Sequence, residues 1–166
     1  GITHPKNVEL YKKINTEGTK NLVFAAKKYD IKQFIFISTS AVGENCGEYG
    51  ESKKEAEEIL KNSGLTYTIL RVGPSYNDNF EGKEGLAGMV KLARISPLLP
   101  YLSDNSVKFS PIHRNDVIQG LVATVNNQGA FLKTYTLVGP EELSTKEVLL
   151  RVLYSNKSKK ILIPIT

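Results

Sequence analysis

Two short apolar segments separated by a helix constrain the fold of this chain more than any other feature. The segments are "QFIFIS", Gln33 to Ser38, and "TYTILRV", Thr66 to Val72. Such brief runs of β-branched and aromatic residues are typical of strands buried on both faces of a parallel sheet. The helix between them is predicted from about Glu51 to Asn62 and ends before Gly64. Strand, helix and strand with short connections predict an α/β protein.

The remaining elements extend this pattern. A long amphipathic face from Val8 to Tyr29 predicts a first helix that contains Gly18, which costs about 1 kcal/mol relative to alanine. We therefore expect close contact between that helix and a neighbour at Gly18. The later elements are predicted as a loop "VGPSYNDNFEGKEG", a helix "LAGMVKLARI" ended by "SPLLP", a strand Val107–Phe109, a helix Asn115–Asn126, a strand Thr134–Gly139 and a helix capped by Ser144 and Glu147.

Composition narrows the class of protein. The chain has 166 residues, 40% apolar and 23% charged, as in soluble globular domains, and no apolar run long enough to span a bilayer. A single cysteine, Cys46, excludes an intrachain disulfide and predicts a cytoplasmic protein. The net charge of +5 is spread over lysines that alternate with glutamates, which predicts a solvated surface and no nucleic-acid partner.

Tyr49 and Lys53 stand four residues apart near the start of the middle helix, so they share one helical face. A phenol has a pKa of about 10, and an ammonium about 4 Å away favours its ionised form by roughly 4 kcal/mol at an effective dielectric of about 20. This predicts a general acid or base beside the strand-end hydroxyls of Ser38, Thr39 and Ser40. A chain so rich in tyrosine and lysine also produces such a pair by composition alone, so its context carries the evidence.

Four stretches in order give that context: "NTEGTKNLVFAA", "FIFISTSAVG", "YGESKKEAE" and "YTILRVGPSY". In this order the chain resembles the short-chain dehydrogenase/reductase superfamily, in its extended or atypical branch of epimerases, dehydratases and relatives of the complex I accessory Rossmann subunit. The resemblance implies the C-terminal half of a Rossmann-type doubly wound parallel sheet, with a small α/β substrate-binding part. It places the C-terminal half of the dinucleotide-binding domain in residues 1–72 and the substrate-binding part, interleaved with the last sheet strands, in residues 73–166.

The resemblance also implies roles for individual residues. Tyr49 would be the general acid/base, Lys53 would lower its pKa and bind the nicotinamide ribose, and Thr39 would position the substrate oxygen. The cofactor, NAD or NADP, would be contacted by Tyr49, Lys53, Asn15, Ser38, Val72 and Gly73. The substrate would be contacted by Ser40 and Arg114.

Simpler interpretations stay open for three of these residues. Asn15 is alternatively a polar residue on a solvated helix flank, and Gly73 a turn glycine before Pro74. Arg114 is alternatively an ordinary surface cation. His4 and His113 lack the neighbours of a metal site, so no metal is predicted.

Departures from the family pattern leave two functions open. The loop between Thr39 and Tyr49 is short, Val72 stands where the family usually has proline, and Asn77 where it usually has glycine. One hypothesis is an NAD(P)-dependent oxidoreductase or epimerase with a small-molecule substrate. The alternative is a non-catalytic dinucleotide-binding protein acting in complex assembly or regulation, as a homodimer or within a larger complex.

No Gly-x-x-Gly-x-x-Gly motif for a cofactor pyrophosphate occurs in the chain. The family carries it in earlier strands, so we expect this chain to be a fragment that is inactive alone. The final segment "KILIPIT", read as an unpaired apolar strand, supports the same expectation.

Overall fold

The structure is a computed structural model that describes residues 1–44, 46–78, 85–103, 108–155, 157 and 159–165. Its helical elements are α1 (Glu9–Tyr11), a π-helical segment (Lys12–Glu17), α2 (Gly18–Lys28), α3 (Gly47–Lys61), α4 (Gly85–Ile95), α5 (Arg114–Thr124), a 3-10 turn (Gln128–Ala130) and α6 (Thr145–Ser155). Its strands are β1 (Phe34–Thr39), β2 (Tyr67–Val72), β3 (Ser75–Tyr76), β4 (Leu98–Leu102), β5 (Lys108–Phe109), β6 (Ile112–His113), β7 (Lys133–Leu137), β8 (Leu143–Ser144) and β9 (Ile161–Ile165).

The chain divides into two units. The first contains Gly1–Val72 and Ile118–Leu137, and the second contains Gly73–Val117 and Val138–Thr166. Whether the predicted boundary at residue 72 separates cofactor from substrate binding stays a prediction.

The first unit is built on a parallel sheet in the order β1-β2-β7. Its core joins Val23 of α2, Leu60 of α3 and Ile69 of β2, and partly buried Phe34 and Phe36 pack against them. The register pairs Thr39 with Val72, so β1 and β2 end level with each other. This confirms the predicted α/β fold with a parallel sheet.

Strand β1 is not buried on both faces, contrary to the expectation from its apolar run. It lies at an edge of the described sheet, and α3 packs on the face that carries Phe36 and Ser38. Side chains alternate between faces along a strand, so Ile37 points to the other face and is 43% exposed. A continuous apolar run therefore did not distinguish an edge strand from a central one.

A helical stretch is confirmed here, but the predicted apolar face is largely exposed, with Val8, Leu22 and Tyr29 each more than half exposed. The contact expected at Gly18 is also wrong. A Cβ built there meets nothing within 4 Å. Residues Lys12–Glu17 form a π-helical segment instead of a regular turn, a local irregularity that is frequent at functional sites.

The second unit has a separate core in which α4 packs against α6. Ser144 and Glu147 form the predicted capping box: the backbone N–H and the hydroxyl of Ser144 donate to the Glu147 carboxylate at 2.7 and 2.8 Å. The predicted strand at Val107–Phe109 appears as β5, with Val107 outside the described residues, as are residues 79–84 of the predicted loop.

The final apolar segment is a strand, as predicted, but it is not unpaired. Strand β9 pairs in parallel with β4, with Leu98 opposite Ile161. Sequence reasoning missed β4 because Pro100 stands at its centre, and proline within an apolar run usually argues against a strand. In the described ranges, none of the helices combines the length and apolarity needed to cross a membrane.

Candidate active site

Tyr49 and Thr39 meet where β1 ends and α3 begins. The helix starts at Gly47, four residues earlier than predicted, so Tyr49 lies in its first turn and Thr39 is the last residue of β1. The Thr39 hydroxyl lies close enough to the Tyr49 phenol to influence its pKa. Thr39 is fixed because its hydroxyl oxygen accepts from the N–H of Ala41 at 3.2 Å.

The pKa of Tyr49 is raised, whereas proximity to Lys53 predicts that it is lowered. Burial is the largest cause and disfavours the phenolate; the hydrogen bond with Thr39 opposes it, and the charge of Tyr11 adds to it. In this structure burial therefore dominates the pKa of Tyr49, and Lys53 is not among the causes.

Lys53 is buried, with 7% of its surface exposed. Its ammonium donates to the carbonyl of Ile37 at 2.8 Å and lies 4.2 Å from the centre of the Phe36 ring. Burial lowers the pKa of Lys53, and the negative charge of Glu57 partly opposes this. The bond to Ile37 uses one of the three N–H donors of the ammonium.

Asn15 lies in the π-helical segment and is 2% exposed, so the alternative of a solvated helix flank is wrong. Its amide nitrogen donates to the Ile2 carbonyl at 3.1 Å and to the Ser52 hydroxyl at 3.0 Å, and its oxygen accepts from the Ile2 N–H at 2.8 Å. Asn15 thus joins the N-terminal residues to α3. Its contact on α3, Ser52, lies one turn after Tyr49.

Ser38 has a partner that sequence reasoning missed. Its hydroxyl donates to Glu57 on α3 at 2.6 Å, and the same carboxylate accepts from Arg71 of β2 at 2.7 Å. Ser38 and Arg71 are opposite each other in the sheet register. The available signal was the helical spacing of Lys53, Ala56, Glu57 and Leu60, which places Glu57 on the buried face of α3.

The other predicted residues are placed as follows. The N–H of Ser40 donates to the carbonyl of Val72 at 3.0 Å, which holds the loop after β1 to the end of β2. Gly73 and Arg114 belong to the second unit, where Gly73 is buried and Arg114 is exposed at the start of α5. The structure thus gathers Asn15, Ser38, Thr39, Tyr49 and Lys53 in the first unit, and their roles toward ligands stay predictions.

The histidines add no further site within the described chain. His113 pairs with Asp78, with 3.2 Å between Nε2 and Oδ1, and its ring packs edge-on against Tyr76. A search of the described residues found no group of three or more His, Cys, Asp or Glu that is arranged to hold a metal ion.

Comparison with known proteins identifies relatives of this chain. A family profile described as NAD(P)H-binding matches residues 4–128. The 40 kDa subunit of mitochondrial NADH-ubiquinone oxidoreductase from Neurospora crassa is 27% identical, over 99% of this chain and 44% of that protein. UDP-glucose 4-epimerase from Vibrio cholerae is 29% identical, over 84% of this chain and 48% of that protein. The chain thus spans about half the length of these curated relatives.

Solved structures show the same fold. UDP-glucuronic acid 4-epimerase from Bacillus cereus in complex with NAD superposes with a TM-score of 0.85 at 20% identity, over 99% of this chain and 60% of that one. The dTDP-glucose 4,6-dehydratase DesIV from Streptomyces venezuelae, with NAD and TYD bound, gives 0.80 at 18% identity, over the same shares.

Proposed function

The chain belongs to the NAD(P)H-binding family, and from this we propose that it forms the catalytic part of an NAD(P)-dependent oxidoreductase or epimerase. Membership confirms the predicted family resemblance and the cofactor class, NAD or NADP. The reaction and the residue roles below are our proposal.

The donors at the end of β1 and in the first turns of α3 suit a nicotinamide riboside. Lys53 is a buried ammonium that, among the described residues, donates to the Ile37 carbonyl, and its further donors suit ribose hydroxyls. Tyr49 and Thr39 add two hydroxyls at the same strand end. Because unpaired buried charge is costly, a ligand with hydroxyl oxygens beside Lys53 would stabilise its charged form.

The observation that carries the proposal is that Tyr49 and Thr39 lie together where β1 ends and α3 begins, on the same helix and strand that hold Lys53. A bound nicotinamide supplies the hydride chemistry. Because burial raises the pKa of Tyr49, its hydroxyl keeps its proton near neutral pH and can donate a hydrogen bond to a substrate oxygen, which would take up the proton as negative charge develops on that oxygen. Thr39 lies beside that hydroxyl, and a substrate oxygen placed between the two hydroxyls would accept from both.

Replacement of the Tyr49 hydroxyl tests this role. We expect Tyr49→Phe, in the complete gene product, to lower kcat by about 10²–10⁴-fold, since general acid–base catalysis supplies that range. The dissociation constant for NAD(P)H, measured by nucleotide fluorescence, should rise by no more than about tenfold, because one hydroxyl donor is lost while the ring and Lys53 are retained. Tyr29→Phe, at an exposed tyrosine of the same unit, is the control. Undiminished turnover in Tyr49→Phe would contradict the proposal.

A second candidate is a non-catalytic dinucleotide-binding protein that acts within a protein assembly. The match to the Neurospora subunit over almost the whole chain supports it, as does the short loop between Thr39 and Tyr49. It predicts cofactor binding without turnover of sugar nucleotides or carbonyl compounds, and a stable protein partner after affinity purification. Robust turnover that requires Tyr49 would exclude this candidate.

A further inference from the structure

Tyr11 lies against the proposed catalytic tyrosine. It is the last residue of α1, directly before the π-helical segment. Its ring centre is 5.9 Å from that of Tyr49, with an angle of 48° between the planes. This distance is typical of a stabilising aromatic pair.

The Tyr11 ring is fixed at its outer end. Its hydroxyl donates to the carbonyl of Thr3 at 2.6 Å. The preceding residue, Ile2, is held through both its N–H and its carbonyl by Asn15. Two side chains one helical turn apart thus bind consecutive residues of the same segment.

The element that carries Tyr11 is also joined to the helix that carries Tyr49. Asn15 donates to the Ser52 hydroxyl at 3.0 Å, and the hydroxyl of Thr16 donates to the Ser52 carbonyl at 3.1 Å. The Ser52 hydroxyl in turn donates to the carbonyl of Tyr49 at 2.8 Å. A continuous set of hydrogen bonds therefore sets the distance between the two rings.

We propose that Tyr11 is a positioning residue for the Tyr49 phenol, its ring restricting the rotation of the Tyr49 ring and its hydroxyl holding Tyr11 to Thr3. The part of this inference that concerns turnover rests on the function proposed above. Tyr11 itself transfers no proton in this scheme. Its ring keeps the Tyr49 hydroxyl directed at Thr39, and displacement of a reacting group by about 1 Å costs up to about 100-fold in rate.

Two variants separate the ring from the hydroxyl, in the complete gene product labelled with 3-fluorotyrosine. The ¹⁹F resonance of Tyr49 is assigned by its disappearance in Tyr49→Phe. We expect Tyr11→Leu, which removes the ring, to shift or broaden that resonance and to lower kcat about tenfold, with the Kd for NAD(P)H within about twofold. Tyr11→Phe, which keeps the ring, should leave kcat within about threefold of wild type. Tyr29→Leu, an exposed tyrosine, is the control.

The outcomes are distinguishable. An unchanged Tyr49 resonance in Tyr11→Leu overturns the inference whether or not the protein is an enzyme, as does a shifted resonance with an unchanged kcat in an active protein. If wild type turns over no substrate, the proposed function fails, while a changed linewidth of the Tyr49 resonance still supports the positioning of Tyr49 by Tyr11, because the lost ring current of Tyr11 alone would move only the chemical shift. If thermal melting shows that Tyr11→Leu is unfolded, Tyr11→Met replaces it, since methionine fills irregular space without a ring.

Discussion

Glu57 is fully buried on α3 and accepts hydrogen bonds from Ser38 of β1 and Arg71 of β2. Lys61, one turn later, lies 3.8 Å from the same carboxylate. Burial alone would raise the pKa of Glu57, but the hydrogen bonds from Arg71 and Ser38 and the charges of Arg71 and Lys61 outweigh it, so the pKa is lowered. This one side chain therefore connects the helix that carries Tyr49 to both strands beneath it.

Removal of this charge should destabilise the fold. We expect Glu57→Gln to lower the free energy of unfolding by about 3 kcal/mol, because Arg71 loses its buried partner. Glu58→Gln, at the exposed neighbour on the same helix, should change it by less than about 1 kcal/mol. Urea unfolding at pH 7 measures both, and equal effects would contradict the assigned role of Glu57.

The same carboxylate predicts a pH dependence. A group whose pKa is lower in the folded state stabilises the fold above its unfolded pKa, about 4.3 for glutamate, and loses this contribution as the pH falls through its folded pKa. Between pH 6 and pH 3, wild type should therefore lose more stability than Glu57→Gln. Parallel curves for the two proteins would show that Glu57 has the same pKa in both states.

Among individual site residues, the sequence predicted those that form a local pattern along the chain. It missed those that only the packing of distant segments brings together. Tyr49 and Lys53 are four apart on one helix, and Thr39 ends the strand before it, so their convergence follows from element geometry. Tyr11 is 38 positions before Tyr49, and only the packing of α1 against α3 brings them together. The direction of the Tyr49 pKa was wrong for the same reason, because burial is a property of the whole fold.

Among the elements, α3 shows why a glycine is required at one helical position and not at another. A Cβ on Gly50 would lie 2.5 Å from the Cβ of Cys46 and 2.9 Å from the carbonyl oxygen of Ala41. The loop that follows β1 therefore packs directly on the helix backbone beside Tyr49. At Gly18, in α2, a Cβ would have no other atom within 4 Å.

Alanine at these two glycines should have opposite effects. Gly50→Ala forces the loop away and should destabilise the protein by about 1–3 kcal/mol. Gly18→Ala should stabilise it by up to about 1 kcal/mol, because alanine has the higher helix propensity and no contact opposes it. Thermal unfolding of both variants measures the difference. Stabilisation by Gly50→Ala would show that the loop moves without cost.

Most elements were predictable because their apolar periodicity is local. The exceptions have physical causes that one segment does not contain. Strand β4 contains Pro100 and is a strand because β9 pairs with it. The π-helical segment Lys12–Glu17 buries the polar side chains of Asn15 and Thr16 and leaves Ile14 41% exposed, so the apolar periodicity of the sequence did not reveal it.

For the molecule as a whole, the two units have separate cores. Leu60 is fully buried in the core of the first unit, and Leu149 is almost fully buried in the core of the second. Truncation of either leaves a cavity and should cost about 2–5 kcal/mol.

Hydrogen exchange can locate each of these losses. Leu60→Ala should lower amide protection mainly in β1, β2 and α3, and Leu149→Ala mainly in α4 and α6, because partial opening follows local contacts. The unsubstituted unit of each variant serves as the internal control. Equal loss of protection in both units of both variants would show that the chain opens only as one cooperative body.

The pairing of β4 with β9 also has a consequence for synthesis. Leu98 pairs with Ile161, which is synthesised about 60 residues later. At translation rates of about 5–20 residues per second, the apolar edge of β4 lacks this partner for roughly 3–12 s on the ribosome. Pro100, in the middle of that edge, cannot donate a backbone hydrogen bond to a foreign strand. Pro100, which concealed β4 in the sequence, thus also removes one of the hydrogen bonds that a mispaired strand would use while β9 is being made.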